Sequence, residues 1–135
     1  MTQSPAITSA DHTTFAVGSA GSFTVTTSPT ATSIVESGSL PSGVTFTDNG
    51  NGTATLAGTP TAGTGGIYDL TLTASNGVLP NATQSFTLTV TQPPAITSTN
   101  HVTFIVNTAG SFAVTSVAGF PTATTLTKVG SLPSG

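Results

Sequence analysis

Gly38-Ser-Leu-Pro-Ser-Gly-Val-Thr-Phe-Thr-Asp-Asn-Gly-Asn-Gly-Thr-Ala-Thr-Leu-Ala-Gly-Thr-Pro60 reads as a β-hairpin, and the rest of the chain is organised around it. Val44 and Phe46 alternate with Thr45 and Thr47, and Ala54 and Leu56 alternate with Thr53 and Thr55. A period of two gives each strand one apolar and one hydroxyl-bearing face, so both strands cover one core. Between them, Asp48-Asn-Gly-Asn-Gly52 places Asn-Gly twice, and Gly50 and Gly52 tolerate the positive φ that tight hairpin turns require. The opening words recur, because Gly130-Ser-Leu-Pro-Ser-Gly135 repeats Gly38 to Gly43.

Working outward, the recurrence extends over much of the chain. Pro5-Ala-Ile-Thr-Ser9 returns as Pro94-Ala-Ile-Thr-Ser98, an offset of 89 residues. His12, Phe15, Gly21-Ser-Phe23 and Val25 return at that offset as His101, Phe104, Gly110-Ser-Phe112 and Val114. The offset then grows to 92, because Ser116-Val-Ala-Gly-Phe120 occupies a connection three residues shorter in the first copy. Such an insertion is expected in a surface loop. Pro29-Thr-Ala-Thr32 then matches Pro121-Thr-Ala-Thr124. A period near 90 describes a tandem domain, unlike the roughly 20–50 residues of a solenoid unit. Residues 1–91 are therefore expected to form one complete repeat, and residues 92–135 a linker plus the N-terminal half of a second.

Strands are expected at residues 6–9, 12–17, 21–27, 32–36, 44–47, 53–57, 67–75 and 83–91, and helical periodicity is absent throughout. Short strands separated by Gly, Pro, Asn and Ser indicate an all-β sandwich or barrel. The inward set is Phe15, Val17, Phe23, Val25, Ile34, Val44, Phe46, Leu56, Tyr68, Leu70, Leu72, Phe86, Leu88 and Val90. Each large apolar side chain contributes about 1.5–3 kcal/mol when fully buried, enough in sum for one small core. The second copy offers Phe104, Val106, Phe112, Val114 and Leu126. About 44 residues with open strand edges sit near the lower limit for independent folding. The expected explanation is a fragment of a longer array, and the rival is pairing of residues 92–135 with another molecule in a strand-exchange homodimer. Thr91-Gln92-Pro93-Pro94 reads as a short, semi-rigid spacer.

Composition narrows the function classes. Charged residues are 4% of the chain, against roughly 25% in average soluble proteins, so hydroxyls and backbone solvate the surface. Lys128 stands alone against Asp11, Glu36, Asp48 and Asp69, for a formal net charge of −3. Nucleic acid is excluded as a partner, since its binding needs several Lys or Arg contacts to phosphate. The chain has no Cys, hence no disulfide framework and no thiolate metal site. No stretch approaches the roughly 20 apolar residues of a membrane span, so no membrane insertion by this chain is expected. Met1-Thr-Gln-Ser-Pro5 has neither a basic start nor an apolar core, which places any export signal outside this chain.

Gly65-Gly-Ile-Tyr-Asp-Leu70, the following Thr-Leu-Thr-Ala-Ser-Asn-Gly77 and Thr83-Gln-Ser-Phe-Thr-Leu-Thr-Val90 resemble the bacterial Ig-domain repeats related to cadherin-like and dystroglycan-type modules. The opening Pro-Ala-Ile-Thr-Ser and the hairpin resemble the same family. The resemblance covers Gln3 to Thr91 in full and Gln92 to Gly135 as the family's first half. It implies an Ig-like antiparallel β-sandwich used as a repeat in large surface proteins. It also implies that Tyr68, two residues before Leu70, is the tyrosine corner of such sandwiches, with Leu70 where antibody domains carry a Cys. The missing Cys pair and core Trp exclude a true antibody-type domain.

Candidate sites are few. Asp48-Asn-Gly-Asn-Gly52 has oxygen side chains at alternate positions, as calcium sites do, but calcium takes six to eight oxygen ligands, and Asp48 is the sole carboxylate. A plain hairpin turn is the simpler reading. His12 and His101 repeat without a nucleophile in reach, and are read as polar strand residues. Glu36 aligns with Lys128, a sign reversal that suits a solvent-facing position. Glycan recognition usually needs exposed aromatics; Trp is absent, and Phe120 in the inserted loop is the one candidate for an exposed contact. Enzyme chemistry needs a nucleophile with its base, or paired carboxylates, and four scattered acids do not form that set. The expectation is therefore a non-catalytic structural spacer at the cell surface or outside the cell, with neighbouring repeats as its partners and no cofactor. The alternative is an adhesion or ligand-binding module, either calcium-dependent or glycan-binding.

Overall fold

The computed structural model describes residues 2–122 and 125–135. Eight strands lie in the first copy: β1 (Ala6–Ile7), β2 (His12–Ala16), β3 (Gly21–Ser28), β4 (Ser33–Ser37), β5 (Val44–Asp48), β6 (Thr53–Gly58), β7 (Gly66–Ser75) and β8 (Ala82–Thr91). Each overlaps a strand expected from the alternation of apolar residues with Thr and Ser. They form two four-stranded sheets, β1-β3-β6-β5 and β2-β8-β7-β4. All pairings within these sheets are antiparallel except β2 with β8, which run parallel from His12↔Thr87 to Ala16↔Thr91. The chain changes sheets between β1 and β2, so its first strands serve one edge of each layer. This is the Ig-like sandwich that the sequence leads one to expect.

Register explains the core. In one sheet Leu56 of β6 stands between Phe23 of β3 and Phe46 of β5. In the other, Leu70 pairs with Phe86 and Tyr68 with Leu88. Period-two alternation sends these residues to the same face of each sheet, and the two faces meet. The rings of Phe23 and Phe86 pack at 5.2 Å between centroids with a 52° tilt, a spacing at which the positive edge of one ring meets the negative face of another. Every residue of the expected inward set joins the core cluster, although Val17, Phe23, Phe46 and Tyr68 are only partly buried. Ala31 and Ala74 are buried too, and their small side chains carry no periodic signal.

Residues 92–135 hold a separate two-stranded sheet. Among the described residues their strands are β9 (Ala95–Ile96) and β10 (Ser116–Val117), which pair antiparallel. The pairing reproduces that of β1 with β3 at the same offset: Ile7↔Thr27 becomes Ile96↔Ser116, and Ala6↔Ser28 becomes Ala95↔Val117. Its hydrogen bonds carry over as well. Thr8 N donates to Thr26 O at 2.9 Å, and Thr97 N to Thr115 O at 2.8 Å. Thr26 N donates to Ser9 Oγ at 3.1 Å, and Thr115 N to Ser98 Oγ at 3.1 Å. The side chains expected to turn inward do not find a core. Phe104, Val106, Phe112, Val114 and Leu126 are 38–86% exposed, because no counterpart of β6 or β8 lies over them among the described residues. Part of the Pro121–Thr124 match falls outside the described residues.

Candidate functional site

The hairpin turn consumes its own oxygens. Gly50 and Gly52 adopt φ of +80° and +87°, and a Cβ on Gly52 would stand 2.6 Å from Thr30 Cγ2. Asp48 Oδ1 accepts from Gly50 N at 3.0 Å, while Oδ2 accepts from Ile34 N at 3.1 Å. The carboxylate thus ties the end of β5 to β4 in the opposite sheet. Asn49 Nδ2 donates to Thr53 and Thr55 hydroxyls, and Asn51 Oδ1 accepts from the amide and hydroxyl of Thr53. A cation at Asp48 would have to displace backbone donors from both carboxylate oxygens. Among the described residues no group of three or more His, Cys, Asp or Glu could hold a metal ion.

Tyr68 lies near the start of β7, half-buried against the core, and its hydroxyl donates to the Thr64 carbonyl at 2.7 Å. That bond, from strand back to the preceding loop, is the geometry of a tyrosine corner. Leu70 follows two residues on and is 3% exposed.

The loop that Tyr68 holds is gripped from its other side. Gln92 Oε1 accepts from Gly63 N at 2.9 Å and from Gly65 N at 3.2 Å. The Gln92 backbone pairs with Phe120 in both directions, N to O at 2.9 Å and O from N at 2.7 Å. Glycines make the approach possible: a Cβ on Gly65 would meet Gln92 Cβ at 2.8 Å and Phe120 Cβ at 3.0 Å. A Cβ on Gly119 would lie 2.2 Å from Gln92 O. The inserted segment of the second copy is therefore no free surface loop, since it folds back on the linker. Phe120, expected to be an exposed contact, is half-buried at this junction. The linker, read from the sequence as a short, semi-rigid spacer, is braced at Gln92 against the 63–65 loop and Phe120. Sequence reading missed Gln92, and only the density of glycine at 63, 65, 66 and 119 hinted at close backbone approach.

The remaining titratable groups stand apart. His12 Nδ1 lies 3.0 Å from Asp11 Oδ1, with side chains 74% and 68% exposed. The hydrogen bond from His12 holds the Asp11 carboxyl below its ordinary range. His101 makes the same contact with Asn100 at 3.1 Å, so the geometry survives loss of the carboxylate, as a local strand-entry contact would. Glu36 is not solvent-facing as its alignment with Lys128 suggests. It sits opposite Leu72 in the ladder, on the core side of the sheet. Its Oε1 is buried without a partner, and burial raises its pKa.

The family model described as "Putative Ig domain" matches residues 4–91. No curated protein sequence matches. Among solved structures, an endo-fucoidan hydrolase of glycoside hydrolase family 107 superposes with TM-score 0.53 and 22% identity, covering 67% of this chain and 17% of its own. A second such hydrolase gives 0.50 and 17%, covering 72% of this chain and 15% of that one. The N-terminal Ig1-2 module of the Drosophila receptor protein tyrosine phosphatase DLAR gives 0.50 and 24%, covering 71% and 57%. This chain therefore spans about one-sixth of the hydrolases and just over half of the tandem module.

Proposed function

Because this chain belongs to the family described as "Putative Ig domain", a structural or binding module, we propose that it is a non-catalytic spacer repeat of a large extracellular adhesin-type protein. Its partners in this reading are neighbouring repeats of the same array. The observation that supports it is the joint at Gln92. Two acceptor contacts from one side chain, a two-way backbone bridge to Phe120 and glycines that permit contact distance hold successive repeats in a set relation. A binding module needs an open site; a spacer needs a joint that transmits orientation.

The topology suits tension. The chain enters β2 and leaves β8 along parallel neighbours, so pulling the two ends apart loads all five register pairs, His12↔Thr87 to Ala16↔Thr91, in shear. Breaking them requires simultaneous sliding, whereas an antiparallel edge peels one bond at a time.

Calorimetric titration with calcium chloride, together with a glycan array, tests the spacer reading. The expected result is no saturable heat and no retained glycan. Calcium binding abolished by Asp48→Asn, or glycan binding abolished by Phe120→Ala, would replace the spacer with the corresponding binding module.

A further inference from the structure

Asn-Gly occurs three times in the first repeat, at Asn49-Gly50, Asn51-Gly52 and Asn76-Gly77. In such a pair the glycine nitrogen can reach the asparagine side-chain carbonyl carbon, because no Cβ crowds the approach. We propose that Asn51 is a site at which this chain modifies itself, its side-chain amide passing through a cyclic imide with the Gly52 nitrogen to aspartate and isoaspartate. The site is independent of the spacer reading, since neither an enzyme nor a partner takes part.

Hydroxide takes the Gly52 amide proton, the bond from Gly52 N to Asn51 Cγ forms, and the carbonyl electron pair moves onto Oδ1. Two donors of one residue already meet that oxygen: Thr53 N at 3.2 Å and Thr53 Oγ1 at 2.6 Å. Donors placed in advance where charge develops lower a barrier, as in the oxyanion holes of acyl-transfer enzymes. Asn49 Nδ2 donates to the Thr53 hydroxyl at 3.0 Å, which leaves that hydroxyl's own proton for Asn51. The bond from Thr53 N also closes an Asx turn, folding the side-chain carbonyl back over the Gly52 peptide. Collapse of the adduct breaks Cγ–Nδ2, and the nitrogen leaves as ammonia after taking a proton from water, which regenerates hydroxide. Water then opens the imide, at Cγ to give aspartate or at the backbone carbonyl carbon to give isoaspartate.

The other two pairs are held back. Gly50 N donates to Asp48 Oδ1 at 3.0 Å, so removing its proton would set an amide anion against a carboxylate. The Asn49 side-chain nitrogen is bound by the Thr53 and Thr55 hydroxyls. Asn76 Oδ1 has one donor, Val78 N at 3.0 Å, and its leaving nitrogen donates to Gln3 O at 2.9 Å. Asn51 is exposed, and among the described residues neither its Nδ2 nor Gly52 N has an acceptor. The two products differ in consequence. Isoaspartate carries the backbone through Cβ and Cγ, an extra carbon beside Gly52, whose carbonyl accepts from Thr27 Oγ1 at 2.7 Å. Thr27 Oγ1 in turn accepts from Ala31 N at 3.1 Å, so isoaspartate loosens the tie between the hairpin and the segment before β4, whereas aspartate keeps it.

The test holds the intact chain at mildly alkaline pH, native and in urea, and follows each pair by peptide mass mapping that separates aspartate from isoaspartate. In the native chain Asn51 should convert at least about tenfold faster than Asn49 or Asn76, through a form that has lost ammonia, and in urea the three rates should converge. Thr53→Val should slow Asn51 about fivefold in the native chain, the worth of one neutral hydrogen bond, and leave its rate in urea unchanged. Thr53→Ser keeps the hydroxyl and should keep the native rate. The isolated isoaspartate form should unfold at lower urea than the aspartate form. Asn49 or Asn76 leading in the native chain, or the same spread of rates in urea, overturns the assignment of the site. Conversion of Asn51 unaffected by Thr53→Val, or accelerated as a merely restraining contact would have it, overturns the part given to the hydroxyl. Equal urea midpoints for the two products overturn the effect on the hairpin.

Discussion

Truncating Val25 and its equivalent Val114 to Ala subjects one residue type to two environments within a single chain. Val25 is 1% exposed, in register with Ala54, whereas Val114 is 51% exposed. Val→Ala removes two carbons, about 1.6 kcal/mol of transfer free energy at roughly 0.8 kcal/mol per methylene. The cavity left in a packed core adds to this, so Val25→Ala should cost about 2–3 kcal/mol. Val114→Ala leaves no cavity and should stay within about 0.5 kcal/mol. Urea unfolding followed by tyrosine fluorescence is the assay, since Tyr68 is the sole Tyr and no Trp is present. With a denaturant slope of about 1–1.5 kcal/mol/M for a domain of this size, the midpoint should fall by about 2 M for Val25→Ala and hold for Val114→Ala. Global exchange protection of each variant completes the comparison. Equal losses at the two sites, or a loss below about 0.5 kcal/mol at Val25, would refute the assignment of one closed core and one open face.

Other substitutions probe separate contacts. Gly43→Ala should destabilise the first repeat by at least about 2 kcal/mol, because φ is +93° and a Cβ would stand 2.0 Å from Thr59 O, while Gly135→Ala, with nothing within 4 Å, should be silent in the same urea titration. Leu88 of β8 is fully buried, so Leu88→Ala should cost about 2–5 kcal/mol, read by thermal unfolding. Gln92→Ala should leave first-repeat stability within about 1 kcal/mol yet broaden the distance distribution between spin labels on the two copies, and an unchanged distribution would count against the braced joint. Glu36 tests pH dependence: burial raises its folded-state pKa above the ordinary 4.5, so the folded state binds its proton more tightly. Its contribution is fully present below that ordinary value and is lost as pH rises through the folded pKa. Glu36→Gln should therefore flatten the stability profile above pH 4.5 and raise neutral-pH stability by less than about 1 kcal/mol.

Much of the sandwich was legible because its chemistry is local. The Val44–Phe46 and Ala54–Leu56 alternation, with Asn-Gly between, encodes both faces and the turn of a hairpin, and the same period recurs through Phe86, Leu88 and Val90. The parallel pairing of β2 with β8 was not legible, since alternation specifies a strand's faces and leaves its neighbours open. The joint was missed for a related reason. Gln92 acts through one side-chain oxygen on two amides of a distant loop, and no spacing rule connects residues 63, 65 and 92. Phe120 looked exposed because it lies in an insertion, yet its backbone closes on the linker. Glu36 looked solvent-facing because its equivalent is Lys128, but Ile34 two residues earlier places it on the inward side of β4.

Native-state amide hydrogen exchange on the intact chain tests most directly the claim that residues 1–91 close a core while the face of residues 95–117 stays open. Amides of β3, β6, β7 and β8 should exchange only through global unfolding, those of Gln92 and Phe120 through a smaller local opening, and those of residues 104–114 at nearly unprotected rates. Protection of residues 104–114 equal to that of β3 would contradict the account.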